Sequence, residues 1–160
     1  MHSNPRPHGL LRLFLRFPIL LYRLGLGWLF GDRLVQLTHI GRTSGRSRRV
    51  VVETLRLDRT TQTVYILSGW GEQADWVRNI LNTPEVVIQL GLRRWPATAV
   101  RLAAVQVEQE LLAYACRRPA ALAALAKRYQ AAVPQGSALP GTCRILASRI
   151  PLFALQPRSG

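Results

Sequence analysis

From residue 34 onward, short apolar segments rich in valine, isoleucine and threonine alternate with groups of turn residues. Segments of this length and composition predict β-strands. The predicted strands are LVQLTHI (34–40), RRVVVETLRL (48–57), TVYILS (63–68), EVVIQL (85–90), RRWPATAVRLAAV (93–105) and SRIPLFALQP (148–157). DRTTQ (58–62) and Gly91-Leu92 are predicted to close two hairpins, and Pro96 indicates an edge or a bulge.

Two helical patterns interrupt the strands. One covers residues 74–82, after the third strand, and the other covers residues 107–133, with a break at Pro119. About six antiparallel strands with an inserted helix do not fit a doubly wound α/β fold. The sequence therefore predicts a mainly β, α+β fold, as a small barrel or a curved sheet. One domain is expected, with an N-terminal segment over residues 1–33 and the barrel over residues 34–160.

The N-terminal segment contains the most apolar stretch of the chain, residues 8–31. Arg12, Arg16 and Arg23 interrupt it at helical spacing, whereas a membrane-spanning helix needs about 20 largely uncharged residues. The pattern predicts an amphipathic helix that either covers the core or lies on an anionic membrane surface. No small-residue cleavage site follows, so a cleavable signal is not expected.

The charge balance favours an anionic partner. The formal net charge is +14, and 21 of the 22 basic residues are arginine, the exception being Lys127. Arginine recognises phosphate and carboxylate through its planar guanidinium, so nucleic acid, an anionic membrane face and a polyanionic small molecule are all candidates. Cys116 and Cys143 lack the spacing of a metal site and are expected to be reduced thiols in a cytoplasmic protein.

HIGRTSGRSRR (39–49) concentrates four arginines and no acid between two predicted strands. Gly41 and Gly45 permit a tight turn with free backbone N–H groups, and Thr43 and Ser44 add hydroxyl donors. The arginines that could close around a phosphate are Arg42, Arg46, Arg48 and Arg49. A phosphate cradle, a solvated basic turn and a nucleic-acid patch are all compatible with this segment, which matches neither the Walker nor the G-x-G-x-x-G pattern.

The segment SGWG (68–71) follows the third predicted strand and precedes a helix. Its glycines would let the backbone approach a flat ligand closely, and Ser68 could donate a hydrogen bond to that ligand. The alternative is a plain strand–helix turn in which Trp70 covers the edge of the core.

Glu53 lies in the second predicted strand, in phase with Val51, Leu55 and Leu57. A carboxylate on this apolar face either pairs with an arginine or lines a cavity. His39 belongs to no recognisable triad, and no histidine–cysteine cluster has metal-ligand spacing, so neither nucleophilic nor metal catalysis is predicted.

Taken together, LTHIGRTSGRSRR (37–49), YILSGWGEQADWVRNILNTPEVVIQL (65–90) and RIPLFALQP (149–157) resemble the deazaflavin-dependent nitroreductase family, reductases that use coenzyme F420. Members show a strand, G-R-[KT]-[ST]-G-x-x-R, a strand ending in serine and glycines, a W-x-x-N helix and a V-x-V-Q strand. The match in order and spacing covers residues 34–95. The resemblance implies a split β-barrel and an F420H2-dependent oxidoreductase that passes hydride to a small quinone-like or nitro-compound-like acceptor.

The resemblance also implies a role for each matching residue. The phosphate of the cofactor would be surrounded by Arg42, Thr43, Ser44, Gly45 and Arg48, and its acidic glutamate tail would meet Arg46 and Arg49. The deazaflavin ring would lie along Ser68, Gly69, Trp70 and Gly71, with Trp76 and Asn79 behind them. Candidate catalytic residues are Ser68 and, on the substrate side, Glu53. A substrate lid of tyrosines would be reduced to Tyr129 and Tyr114.

Some residues depart from the family pattern. Thr43 stands where many members have lysine, and the missing charge is expected to come from Arg46 or Arg49. Three other functions are compatible with the residues: a barrel that binds a lipid, a flavin or a tetrapyrrole-like ligand without catalysis, a barrel enzyme that uses FMN, and a basic nucleic-acid-binding protein. The last is disfavoured, because aromatic residues are not interleaved with the arginines.

The expected partners follow from the same residues. They are a small-molecule electron acceptor and, through residues 8–31, the anionic inner face of a membrane. Related barrels often form dimers, so a homodimer is also compatible with the sequence. No nucleic-acid partner is predicted.

Overall fold

The computed structural model describes residues 19–22, 24, 26–129 and 138–158. Most of the predicted N-terminal helix, including Arg12, Arg16 and Arg23, lies outside the described residues, as does the predicted helix end at residues 130–133. Within the described ranges the chain forms six strands and four complete α-helices.

Six antiparallel strands form a closed barrel in the order β1-β2-β3-β6-β5-β4. The strands are Leu34–Ile40 (β1), Ser47–Asp58 (β2), Thr63–Leu67 (β3), Glu85–Leu90 (β4), Arg93–Arg101 (β5) and Leu152–Pro157 (β6). Pairing of β1 with β4 closes the sheet, with Leu37 opposite Ile88 at the centre of the ladder. The predicted antiparallel barrel of α+β type is confirmed.

Alternate side chains of each strand point into the barrel and form its core. Residues with no exposed surface in this core include Val35, Leu37, Val64, Ile66, Val77, Ile88 and Leu155. Trp76 enters the same core and meets Phe153 edge to face, with ring centroids 6.0 Å apart. Burial of this apolar surface is the dominant favourable contribution to folding.

A β-bulge in β2 changes which face its side chains occupy. Thr54 pairs with Ile66, but the next registered pair is shifted, so that Leu55 is an extra residue in the strand. Leu55 packs outward, whereas Leu57 returns to the barrel core. The strict alternation that placed Glu53, Leu55 and Leu57 on one face is therefore wrong for Leu57.

The helices are α1 (Asp75–Asn82), α2 (Ala104–Arg117), α3 (Pro119–Arg128) and α4 (Leu139–Ala147). The last three form a second apolar layer on the outer face of the barrel, in which Leu111, Leu146 and Leu152 are fully buried. Pro119 starts α3, where a helix does not need the missing N–H. The predicted break at this residue is confirmed.

Three element boundaries differ from the sequence prediction. The strand predicted for residues 93–105 ends at Arg101, and α2 begins at Ala104. Helix α4 was not predicted; its Pro140 lies in the first helical turn, where proline is tolerated. The strand predicted for residues 148–157 begins only at Leu152, since the preceding residues leave the end of α4.

Pro96 marks no sheet edge, because a closed barrel has none. It pairs with Val87 of β4, whereas the ladder between β5 and β6 begins one residue later, at Ala97 opposite Pro157. The Pro96 carbonyl oxygen accepts the backbone N–H of Arg158 at 3.1 Å. Pro96 therefore lies at the end of the β5–β6 ladder, where the lack of a backbone N–H breaks no hydrogen bond within the ladder.

The end of the N-terminal segment lies against β1 and the β4–β5 turn. Tyr22 is buried, and its hydroxyl donates to the Leu34 carbonyl oxygen at 2.6 Å. A Cβ added at Gly27 would be 2.5 Å from the Tyr22 ring and 3.1 Å from the Gly91 carbonyl oxygen. Four leucines of this region stay exposed: Leu20, Leu24, Leu29 and Leu92. No helix in the described ranges is long and apolar enough to cross a bilayer.

Candidate active site

The β1–β2 turn folds tightly around two glycines. The Gly41 N–H donates to the Arg46 carbonyl oxygen at 2.9 Å, and the Gly45 N–H donates to the Gly41 carbonyl oxygen at 2.7 Å. Gly45 has a φ of 64°, a left-handed conformation that glycine adopts without strain. Within the described residues, the backbone N–H groups of Thr43 and Ser44 have no acceptor. Free N–H groups beside a left-handed residue can bind an anion.

Three arginines around this turn have no carboxylate partner in the part of the chain that the structure describes. They are Arg46, Arg48 and Arg49, and all three are exposed. The Arg48 Nη2 donates to Ser44 Oγ at 3.5 Å. A Cβ added at Gly41 would be 2.8 Å from Ser44 Oγ and 2.9 Å from Arg48 Nε, so glycine leaves room for both groups. The chemistry of this donor set suits a phosphate.

Arg42 fastens the turn to helix α1. Its backbone N–H donates to Asn79 Oδ1 at 3.0 Å, and its Nη1 donates to the same oxygen at 3.1 Å. Its Nη2 also lies 3.3 Å from Asp75 Oδ1. Asp75 begins α1, which follows the SGWG segment along the chain, so these contacts join the two predicted halves of the site.

Asn79 also joins the turn to the end of β1. Its Nδ2 lies 3.2 Å from His39 Nδ1, and the two residues are only 3% and 4% exposed. Burial is the main reason that the pKa of His39 lies below its ordinary 6.5; the Ile40 backbone and Asp75 oppose this, and the Arg48 charge adds to it. His39 is therefore neutral at pH 7. Sequence reasoning assigned it no role, because nothing in the sequence indicates its contact with Asn79.

The SGWG segment forms a closed turn at the end of β3. Ser68 is 2% exposed, and its Oγ donates to the Gly71 carbonyl oxygen at 2.9 Å. The Gly71 N–H donates back to the Ser68 carbonyl oxygen at 3.0 Å, and Gly71 has a φ of 67°. The hydroxyl expected to reach a flat ligand thus holds the turn together here. Gly69 and Trp70 are the more exposed members.

The end of helix α3 covers this turn. The Arg128 guanidinium stacks on the Trp70 ring, 4.1 Å from its centroid, and Nη1 donates to the Gly69 carbonyl oxygen at 3.1 Å. The Tyr129 hydroxyl lies 3.5 Å from the same oxygen, and burial raises the pKa of Tyr129. Sequence reasoning named Tyr129 and missed Arg128, since an arginine at a helix end is normally solvated.

Glu53 belongs to a polar cluster on the outer face of the barrel. Its Oε1 accepts hydrogen bonds from the Tyr114 hydroxyl at 2.7 Å and from Arg118 Nη1 at 2.8 Å. Burial, reinforced by Glu53, raises the pKa of Tyr114 to about 12, so this phenol remains a donor. Glu53 also lines a groove of ≈ 610 Å³ with Leu29, Leu34 and Arg118. Both predicted environments of Glu53, the arginine pair and the cavity, are therefore found.

The strand register gives the order of the predicted residues along β2. Thr54 pairs with Ile66, so the end of β3 before Ser68 lies beside Glu53. From Val52 to the start of β2 at Ser47, the β1–β2 hairpin continues for about 17 Å at the usual rise of a strand. Trp76 and Asn79 are both buried, the former in the barrel core. In this order, an anionic group of an extended ligand would meet the β1–β2 turn, and a flat group would meet the SGWG segment beside the groove.

A family model of F420H(2)-dependent quinone reductases matches residues 23–135, which include the turn, SGWG and Glu53. The match covers well over half of the chain. The chain belongs to the F420H2-dependent quinone reductase family. It is an oxidoreductase that uses F420H2, and the predicted cofactor and reaction class are confirmed.

Solved structures similar to this family member are distant in sequence. An F420-H2 dependent reductase, FDR-A, gives a TM-score of 0.54 at 18% identity, covering 79% of this chain and 96% of that chain. A structure described as a domain-swapped dimer gives 0.54 at 18%, covering 79% and 81%. A protein of unknown function from Agrobacterium tumefaciens gives 0.54 at 15%, covering 98% and 60%. These likenesses show the fold, and a search of curated protein sequences found no match.

The residues of the β1–β2 turn fit the acidic part of F420. The free N–H groups of Thr43 and Ser44 and the three unpaired arginines offer donors to oxyanions, and the absence of a Cβ at Gly41 keeps the space between them open. Thr43 carries no charge where the resemblance to the family leads us to expect lysine. Arg46 is the nearest arginine along the chain that does not fasten the turn to α1.

Gly41→Ala is expected to weaken anion binding without unfolding the protein. The added methyl group would displace the Ser44 hydroxyl and the Arg48 guanidinium, which are side-chain ends that can move. We expect the affinity for F420 to fall about three- to tenfold and the free energy of unfolding to change by less than about 1 kcal/mol. Fluorescence titration and chemical denaturation measure the two quantities. Gly141→Ala is the control, because a Cβ there meets nothing within 4 Å; equal affinities in both variants would contradict the cradle.

Proposed function

We propose that this reductase holds the phosphate of F420 at the β1–β2 turn and reduces a small quinone-like acceptor bound at the Glu53 groove. The observation that carries the proposal is the turn itself, in which Arg48 contacts Ser44 beside free backbone N–H groups, and Arg46, Arg48 and Arg49 have no carboxylate partner among the described residues. When bound, F420H2 supplies the hydride. The chain contributes binding, orientation and electrostatics.

For the cofactor, we assign the phosphate to Arg48, Gly45 and the N–H groups of Thr43 and Ser44. Arg46 and Arg49 take no part in the Arg42 anchor, and we assign them to the acidic tail. The flat ring is assigned to the Gly69 and Trp70 surface, which Arg128 and Tyr129 contact among the described residues and where they would have to move or share space. Ser68 then acts by holding this turn, since its hydroxyl already donates to Gly71.

Arg48→Ala is expected to lower the affinity for F420 about tenfold, because it removes a charge-assisted hydrogen bond to the phosphate. Purified protein is titrated with F420, FMN and FAD while cofactor fluorescence is followed. Arg46→Ala combined with Arg49→Ala should weaken F420 more than FMN, since FMN has no glutamate tail. Arg158→Ala removes the same charge from an exposed site beside Pro96, at the opposite end of the barrel, and is the control.

Two results would contradict this assignment. If F420 binds no more tightly than FMN, the FMN-using alternative is favoured. If Arg48→Ala and Arg158→Ala have equal affinities, the turn does not bind the phosphate. Binding of F420 without turnover of any acceptor would favour the non-catalytic ligand barrel.

For the acceptor, we propose the groove of ≈ 610 Å³ between the N-terminal segment and β2. Leu29 and Leu34 supply apolar contact, and the Glu53–Arg118 pair supplies polarity at one wall. A quinone oxygen becomes negatively charged on reduction, and two cations, Arg33 and Arg118, line the groove. Glu53 lies beside Arg118, and its negative charge partly cancels the attraction between Arg118 and the reduced quinone oxygen.

Glu53→Gln is therefore expected to raise kcat/KM for a water-soluble benzoquinone about two- to fivefold, an effect of the size of a partly exposed ion pair. The amide oxygen can still accept from Tyr114 and Arg118, so the fold is retained. The Kd for F420 should not change. Glu108→Gln, which breaks the remote pair with Arg144, is the control. A change in the F420 Kd as large as that in kcat/KM would show that Glu53 does not act on the acceptor.

We also propose that the protein is cytoplasmic and binds peripherally to an anionic membrane face. Residues 8–31 predict this, and the described leucines agree with it: Leu24 is 64% exposed and Leu92 is 72% exposed at the β4–β5 turn against the same segment. Arg93 and Arg94 follow Leu92 and are exposed. A homodimer is proposed as well, because one solved relative is described as a domain-swapped dimer.

Leu92→Glu is expected to reduce flotation with vesicles of phosphatidylglycerol and phosphatidylcholine at least threefold, because it places a charge where apolar contact is expected. Arg93→Glu with Arg94→Glu should act in the same direction and only on anionic vesicles. Val105→Glu, which changes an apolar residue 68% exposed on α2, and Arg144→Glu with Arg149→Glu are the matched controls. Equal flotation of variants and controls would rule out this surface as the membrane contact.

A further inference from the structure

We propose that Asn79 is the positioning residue of the phosphate-binding turn and that His39 fixes the orientation of its amide, so that the affinity for F420 depends on a neutral His39. This inference rests on the proposed assignment of the cofactor phosphate to the β1–β2 turn. It concerns residues that lie behind the turn and do not contact the ligand.

The hydrogen-bond chemistry of Asn79 leaves one arrangement. A side-chain amide has one oxygen that accepts and one nitrogen that only donates. The Arg42 backbone N–H and the Arg42 Nη1 are both obligate donors, and they converge on Asn79 Oδ1 at 3.0 Å and 3.1 Å. The amide nitrogen must therefore face His39 Nδ1, 3.2 Å away. This ring nitrogen then has to be an acceptor, and the proton of neutral His39 lies on Nε2.

The hydrogen bond from the Arg42 N–H to Asn79 fixes the position of the start of the β1–β2 turn. The Arg42 N–H is the first backbone donor after Gly41, and its bond to Asn79 joins the turn to α1 at a buried point. The Asp75 carboxylate also holds Arg42, but it is largely exposed and binds only the guanidinium. Asn79 is thus the group that fixes the backbone of the turn, including the N–H groups assigned to the phosphate.

Protonation of His39 would break this arrangement. A proton on Nδ1 would face the Asn79 amino group, donor against donor, and a flipped amide would instead turn that amino group toward Arg42. The charged groups around His39 are Arg48 on β2, Asp75 on α1 and Arg42 on the turn; β4 pairs with β1 through the uncharged Val87, Ile88 and Gln89. Because the pKa of His39 is lowered from 6.5, the arrangement is intact at pH 7 and is lost only as the pH falls below 6.5.

The test combines cofactor titration with a spectroscopic measurement. Asn79→Ala should raise the Kd for F420 about tenfold, since both contacts to Arg42 are lost. Asn82→Ala, at an exposed asparagine of the same helix, should leave it unchanged. His39→Asn retains an oxygen acceptor near the position of Nδ1 and cannot titrate. Its Kd should equal that of the wild type at pH 7.5 and stay constant as the pH is lowered through the acid range in which the protein stays folded, whereas the wild-type Kd rises. The 15N shifts of wild-type His39 should report a proton on Nε2 at pH 7.5.

Each outcome decides one assignment. If Arg48→Ala weakens F420 but Asn79→Ala does not, the inference is overturned and the phosphate turn stands. If neither variant changes the Kd, the proposed site is wrong and the inference falls with it. A proton on His39 Nδ1 at pH 7.5, or the same pH dependence in His39→Asn and wild type, would also overturn the inference, even where Asn79→Ala is too unstable to measure.

Discussion

Closure of the sheet by the β1–β4 ladder is the constraint on which the rest of the molecule depends. Once six antiparallel strands form a ring, every strand must bury one face, and successive connections must alternate between the two ends of the barrel. The β1–β2 turn and the SGWG segment therefore belong to one end, and the β4–β5 turn to the other. The candidate site follows from strand order before any side chain is considered.

The bulge in β2 adds the second layer. By inserting Leu55, it turns two successive residues outward, so that Leu55 packs on the helices while Arg56 stacks on Tyr65 at 3.9 Å. Helices α2 and α3 are thereby held across the outer face, with their ends at Arg118 and Arg128. One of these arginines reaches Glu53 and the other reaches the Gly69 carbonyl oxygen. The bulge thus links the barrel core to the two helix ends that make these polar contacts.

The sequence predicted the strands and the β1–β2 turn well, because strand alternation and turn residues are local signals. Helix α4 was not predicted, because a nine-residue segment that contains a proline and a glycine gives a weak local helix signal and is stabilised by packing on α2. The return of Leu57 to the barrel core could not be predicted, since a bulge depends on the partner strand. The residues that contact Asn79 belong to β1 and the β1–β2 turn, which are distant from it in the sequence. A local sequence pattern therefore could not predict these contacts.

The few carboxylates of the chain pair with some arginines and leave others without an acid. Among the described residues, which include all eight acids, seven acids have an arginine partner and Glu85 has none. The arginines they neutralise include Arg42, whose side chain anchors the turn to α1, whereas Arg46, Arg48 and Arg49 pair with no acid. With eight acids for 22 basic residues, many cations stay without an acid, and three of them close together in the sequence repel one another. A bound polyanion would remove that repulsion. Arg42 is accordingly better described as part of the support of the turn than as a phosphate ligand, and this division follows from where the acids are placed.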